Sequence, residues 1–303
     1  MKLSKIHPAF LLLALVVFQH PAPAQSGRQP KEEKRSGKPA QAQPPPLLKR
    51  TTTRRELKRL GYGGSVTIVG APEGSVTVEA WQRSEVEVTA EVEQSADTEE
   101  NLTRLAALNT FAVDEDVNHV RVMTVGLHDR KYAKRAAKGL PKHLLSMPWR
   151  IDYRVRVPAA CDVEINAGRG TLSVSGVEGA LRIQAGGGPD SLFALAGGDV
   201  EATVANGPFT VRPTERSWRG RGLRVRLATG DLTVELPAGF NGDIDADILH
   251  AGRVDNAYPG LAPRERTTPT ERSLQGRAGN GGAALSFTVT DGTLRIRQVS
   301  SKQ

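Results

Sequence analysis

Residues 168–211 read GRGTLSVSGVEGALRIQAGGGPDSLFALAGGDVEATVANGPFTV, and this stretch decides the fold. Apolar residues alternate with polar ones in short bursts: Leu172 and Val174, Leu181 and Ile183, Val200 to Val204, Phe209 and Val211. A strand points successive side chains to opposite faces, so a period of two marks strands with one buried and one wet face. Between the bursts stand Gly170, Gly179, Gly188, Gly198 and Gly207, spaced nine, nine, ten and nine residues apart. Short strands with turn signals about every 8–12 residues point to a sandwich, a barrel or a solenoid.

The alternation extends in both directions. Upstream it includes Val66 and Ile68, Val76 and Val78, Val86 to Val92, and Ile151 to Val157. Downstream it includes Leu223 to Leu227, Leu232 to Leu236, Ile244 to Ile248, and Leu285 to Ile296, with Gly222 and Gly230 resuming the glycine series. Asn206-Gly207, Asn241-Gly242, Asn280-Gly281 and Asp291-Gly292 each have hairpin chemistry, which favours antiparallel pairing. A coil whose rungs stack in parallel leaves the same record, so periodicity alone does not separate the two.

Two stretches interrupt the β pattern. Asp97-Thr98-Glu99-Glu100 has capping-box spacing, with Leu102, Leu105 and Ala106 at helical intervals behind it. This predicts a short helix over 98–109. Residues 128–150 carry Arg130, Lys131, Lys134, Arg135, Lys138, Lys142 and Arg150, with Tyr132 and Trp149 among them. They read as a basic insertion, partly helical around Tyr132–Lys138, that loops off the β framework. Its cations suit an acidic glycan or lipid headgroup, gripped by charge plus stacking. A solvated loop is the plainer alternative.

The chain has 303 residues, a formal charge of +8, one cysteine, 31 glycines, 19 prolines and only 5% aromatic residues. One thiol excludes a disulfide scaffold. Lys2 and Lys5, the apolar run Ala9–Phe18 and the small residues of Ala22-Pro23-Ala24 make 1–24 a secretory signal peptide, cleaved after Ala24. Residues 25–60 hold eleven basic residues against three glutamates and include Pro44-Pro45-Pro46, so they read as a disordered basic arm. The remaining 61–303 nets −2, which assigns the basicity to the arm. Export and an arm without aromatics argue against nucleic acid.

Four segments carry a family resemblance: 63–93, 153–188, 220–252 and 281–298. Their shared features are V-x-V-P-A before the glycine-punctuated repeats, a late L-P-A-x-F, and a closing G-x-L-x-I strand. They resemble the "putative adhesin" domain family of exported bacterial proteins, similar in style to the head domains of autotransporter adhesins. The resemblance implies a parallel β-solenoid or β-helix-like repeat domain over 61–303, without catalysis; the antiparallel β-sandwich is the alternative. It supplies no binding residues, and neither the arm nor the insertion belongs to its pattern.

Little chemistry competes with that expectation. His119, His128, His143 and His250 have no metal-ligand spacing, and Cys161 has the setting of a small packing residue. No cofactor motif appears; Gly186-Gly187-Gly188 and Gly279 to Gly282 lack the lysine of a phosphate loop and read as turns. Asp243, Asp245 and Asp247 share one strand face at about 7 Å spacing, as an acid/base row acting on a polysaccharide would. The plainer reading is the wet face of an alternating strand. The expectation is a non-enzymatic protein of the periplasm, cell surface or extracellular space, structural or adhesin-like. Its partners are anionic envelope polymers or surface proteins, and its candidate contacts are Arg130, Lys131, Lys134, Arg135, Lys138 and Lys142. The alternative is a polysaccharide-acting enzyme using the aspartate row.

Overall fold

The computed structural model describes residues 46–299, so the signal peptide and the arm through residue 45 lie outside the described residues. The first part runs β1 (Leu48–Arg59), β2 (Ser65–Glu73), β3 (Val76–Trp81), β4 (Glu85–Ala96), α1 (Glu99–Ala106), β5 (Thr110–Asp116), β6 (His119–Val125), α2 (Arg130–Ala136) and β7 (Trp149–Pro158). The middle runs β8 (Asp162–Arg169), β9 (Leu172–Ser175), β10 (Ala180–Gly187), β11 (Ser191–Leu195), β12 (Gly197–Asn206), β13 (Phe209–Pro213), β14 (Arg219–Thr229) and β15 (Leu232–Leu236). The last part is β16 (Gly242–Asn256), β17 (Leu261–Pro263), β18 (Ser273–Ala278) and β19 (Ala284–Gln298). The body is all-β in class.

From β8 to β15, strands two apart in sequence pair in parallel, and β2 and β3 pair in parallel with β8 and β9. One stack is β2–β8–β10–β12–β14, and the other is β3–β9–β11–β13–β15. β19 is long enough to serve both: Ala284–Asp291 pairs with β14, and Leu294–Gln298 pairs with β15. β16 then pairs in parallel with β19 along both halves, so the last strand in sequence lies inside the stack and β16 outside it. Orientation is nonetheless mixed. β1–β4, β4–β7 and β5–β6 are antiparallel, as are β16–β18 and β17–β18. The antiparallel alternative therefore fits the two ends of the body.

The hairpin expectation is corrected. β12 and β13 flank Asn206-Gly207 but pair with β14 and β15. β18 and β19 flank Asn280-Gly281, yet both pair with β16. Asp291-Gly292 lies within β19. Here the glycine conformation, φ 101° at Gly207 and 146° at Gly292, turns the chain round a corner instead of back on itself.

That corner is a ladder. A methyl on Gly170 would lie 1.8 Å from the Gly74 carbonyl oxygen, and one on Gly230 2.3 Å from that of Gly207. On Gly292 and Gly252 it would meet the oxygens of Gly230 and Gly292, each at 1.8 Å. Gly188 stands between Gly170 and Gly207 in the same way. The Gly207 N–H donates to Thr229 O at 3.0 Å, and Gly230 N–H to Asp291 O at 2.9 Å, linking rung to rung. Gly179, Gly198 and Gly220 stack at a second corner. Along the nine-residue interval the glycines thus alternate between two corners.

The inward residues stack in register. Val163, Leu181, Val200, Leu223, Leu285 and Ile244 form one row across six strands, all buried. Val174, Phe193, Val211, Val234 and Ile296 form another from the facing stack. The two rows belong to one apolar core. Both faces of the core are supplied by period-two strands, which is why the alternation is so regular.

The assignment of 25–60 to a disordered arm is corrected at its C-terminal end. β1 occupies Leu48–Arg59 and pairs with β4 over its whole length. It has almost no apolar face, so burial alone does not explain it. Charge does: Lys49 pairs with Glu93, Arg55 with Glu87, Arg50 with Glu99 and Lys58 with Glu115. Arg54 lies over the Phe111 ring, 4.8 Å from its centroid. Six of the arm's eleven cations therefore belong to the folded body.

Outer charges also tie rungs together. Arg212 Nε donates to Glu235 at 2.7 Å and Arg297 Nη2 donates to it at 2.6 Å, bridging β13, β15 and β19. Glu235 is only 7% exposed. Burial pushes its carboxyl pKa up, but the hydrogen bonds from Arg297 and Arg212 outweigh burial and hold it below the usual glutamate value. A lowered folded pKa means the clasp stabilises the fold fully above the usual value and is lost as pH falls through the folded one. Glu235→Gln should cost about 1–2 kcal/mol at neutral pH. It should also flatten the acid limb of a melting-temperature profile measured against pH.

Candidate functional site

The two helices and the residues following them form a cap. A helix forms as predicted, but over Glu99–Ala106 and not to 109, and its cap is Thr98, whose side chain accepts from Asn101 N at 3.2 Å, with Glu100 paired to Arg104. Its Leu102 and Leu105 pack with Ala96 and Leu144, and Leu127, Leu140 and Met147 close around them. The insertion therefore does not loop off the framework. Two of its leucines, Leu140 and Leu144, and Met147 fix it to α1, with Leu127 just ahead of it in the same cluster.

α2 begins at Asp129, whose carboxylate accepts from Tyr132 N at 2.9 Å and Lys131 N at 2.7 Å. Those two backbone bonds hold the Asp129 pKa below the usual range. Two 3-10 turns, Ala137–Gly139 and Lys142–Ser146, complete the insertion. Arg130, Lys131, Lys134, Arg135, Lys138 and Lys142 are all exposed. None of the six reaches a carboxylate side chain among the described residues. The acids at the starts of the two helices are occupied: Asp129 by backbone, Asp97 by Asn101 at 2.7 Å and His143 at 3.4 Å, Glu99 by Arg50 and Glu100 by Arg104.

The body behaves differently. Arg154 and Arg156 share Glu79, Arg182 meets Asp199, and Arg226 meets Glu201. Unneutralised charge on a packed support gives a local positive field reaching roughly 8–10 Å at physiological salt. The stacking half of the expectation does not hold as read. Trp149 starts β7 and is covered by His128, ring centroids 5.5 Å apart, and by Gly126. Tyr132 is half-buried. Burial lowers the His128 pKa.

The aspartate row is brought together on β16, but each member is engaged. Asp243 accepts from Arg277 Nε at 2.9 Å, Asp247 accepts from Ser273 Oγ at 2.7 Å, and Asp245 pairs with Arg264. Burial raises the Asp245 pKa, opposed by Arg264. The enzyme reading needs the three carboxylates to line an open groove. A cleft of about 420 Å³ nearby is lined by Arg264, Glu265, Arg277 and their neighbours, and none of the three aspartates lines it. The row instead pins the β17–β18 excursion to β16.

Cys161 is buried, and its thiol is pushed up to about 12 by burial, with Asp162 adding to the shift. His119 meets Ser65 Oγ at 2.7 Å and His250 meets Asp291 at 2.5 Å, on separate parts of the surface. Among the described residues no three potential ligands cluster to hold a metal. Gly187 lies at the ladder corner, and Gly279 to Gly282 form the turn between β18 and β19. Sequence reasoning missed the β1 strand and the Glu235 clasp. The four glutamates of β4, opposite a run of arginines, were the available signal for the first.

No family model and no curated protein matches the chain. Among solved structures, it is similar to a "putative cell adhesion protein" from Clostridium sporogenes, at 11% identity and a TM-score of 0.44, covering 82% of this chain and 100% of that one. It is also similar to a "putative adhesin" from Bacteroides fragilis, at 8% identity and a TM-score of 0.35, over 82% and 97%. A third neighbour is a "putative lipid binding protein" from Parabacteroides distasonis, at 12% identity and a TM-score of 0.18, over 82% and 97%. Values this low carry no assignment of function to this chain.

Proposed function

We propose that the chain is a non-enzymatic, exported protein of the cell envelope or extracellular space, in which a solenoid-like body holds a basic cap against anionic surface polymers. The observation that carries this reading is the contrast in charge pairing. Arg154, Arg156, Arg182 and Arg226 on the stacked faces meet carboxylates, whereas Arg130, Lys131, Lys134, Arg135, Lys138 and Lys142 all stand exposed without them on a packed support. Fixed, uncompensated charge is what a polyanion reads, because no internal partner has to be displaced first. In this reading 1–24 directs export, 25–47 is a tether and the role is adhesin-like, the role named for the Clostridium and Bacteroides neighbours.

Deleting 128–150 would strip Leu140, Leu144 and Met147 from the cap core, so substitution is the cleaner test. Replacing all six cations with glutamine should leave the melting temperature unchanged within a few degrees. It should lower affinity for immobilised heparin, the anionic probe, about tenfold or more at low salt. Unchanged heparin affinity in a folded variant would refute the role of the cap.

A further inference from the structure

β1 pairs with β4 on one side, and no other strand pairs with it among the described residues. It is twelve residues long, has no proline, and keeps unbroken register from Leu48↔Ala96 to Arg59↔Glu85. Edge strands of folded proteins are usually shorter, bulged or covered, because a free edge is a template for another strand.

The direction of its backbone groups follows from one hydrogen bond. Leu60 N–H, just past the strand, donates to Ser84 O at 3.1 Å, continuing the β1–β4 register. Alternation along an antiparallel strand then directs the N–H and C=O groups of even-numbered residues to β4. Those of Thr51, Thr53, Arg55, Leu57 and Arg59 face away from it. The side chains beside this free edge are basic. Arg54, Arg55 and Lys49 keep more than half of their side-chain surface exposed even while paired, and Glu56 is the only acid on the strand.

This charge selects the occupant. Two copies pairing through β1 would bring strands with six cations and one acid each to within about 5 Å, which like charge opposes. An acidic strand faces no such barrier. We propose that the free edge of β1 binds an extended acidic peptide segment of a partner protein, adding it as a further strand next to β1. Main-chain bonds at alternate residues supply the pairing, and Arg59, which meets no carboxylate among the described residues, selects for carboxylates together with the exposed surfaces of Arg55 and Lys49. This inference is independent of the polymer contact at the cap.

The test uses the full chain and a labelled twelve-residue peptide of alternating threonine and glutamate, read by fluorescence anisotropy, with a threonine–lysine peptide as comparison. The acidic peptide should bind at least tenfold more tightly than the basic one. Thr53→Pro removes a donor from the free edge but none from the β1–β4 ladder, and should weaken binding tenfold or more at an unchanged melting temperature. Should that variant fail to fold, amide exchange of the unaltered protein decides. Added peptide should slow exchange at Thr51, Thr53 and Arg55 and leave Thr52 and Arg54 as they were. Equal binding of the two peptides, full binding by a folded Thr53→Pro, absence of that protection pattern, or dimerisation through β1 would each overturn the proposal.

Discussion

Gly292→Ala is expected to destabilise the body by about 3–5 kcal/mol, as much as losing a large core side chain. The added methyl would lie 1.8 Å from the carbonyl oxygen of Gly230, at a φ of 146° that a side chain rarely adopts. Neither strand can yield cheaply. Gly230 N–H donates to Asp291 O at 2.9 Å, and on the other side Gly252 stacks on Gly292 as closely. β19 lies between β14 and β16, so moving it disturbs rungs on both flanks. Gly139→Ala is the matched comparison: nothing lies within 4 Å of its added methyl, and the change should be near neutral. Denaturant midpoints of the two variants, at unchanged slope, would measure the difference. A Gly292→Ala midpoint indistinguishable from that of Gly139→Ala would remove the ladder from the account.

The second large effect lies in the core. Phe193 is fully buried, and its ring meets Phe209 edge to face at a centroid distance of 4.5 Å and an angle of 87°. Its register neighbours, Val174 and Val211, come from strands on either side and are fixed by their own ladders. The space left by Phe193→Ala can therefore close only by shifting a rung. The expected loss is about 3–5 kcal/mol, from lost burial, the cavity and the aromatic contact. Thr210→Ala, on the outward face of the adjacent strand, should change stability by less than about 0.5 kcal/mol. Thermal unfolding of the pair tests the inward–outward alternation directly.

What could be read from the sequence was local. Val163 and Ile165, or Leu223 to Leu227, announce strands because each alternates within itself, and Thr98 announces its helix because the capping bond spans three residues. Partner choice was not local. Asn206-Gly207 has the same backbone chemistry at a corner as in a hairpin, and the strand that decides between them begins at Arg219 or later. β1 reads as arm because its stability comes from glutamates 32 and 44 residues downstream, through Arg55–Glu87 and Lys49–Glu93. β19 gave no sign that it would enter the stack ahead of β16.

The candidate site divides in the same way. Its six cations stand out in the sequence as a charge run. Their support does not, because Leu127, Leu140, Leu144 and Met147 follow no regular period and meet partners from α1 and the end of β4. The aspartate row looked like chemistry because Arg264, Ser273 and Arg277, which engage it, lie on the β17–β18 excursion and not on β16.

The middle of the body, β8 to β15, rests on strands two apart pairing in parallel register. Paired cysteines test that most directly, in a Cys161→Ala background. Thr210 and Thr233 are register partners on β13 and β15, facing outward, so the pair Thr210→Cys and Thr233→Cys should form a disulfide under mild oxidation. Thr203 and Thr210 would face each other across a hairpin at Asn206-Gly207, but in the stacked body they belong to strands that do not pair. Parallel stacking gives a cross-link in the first pair and none in the second; a cross-link in the second pair alone would mean that β12 and β13 form a hairpin.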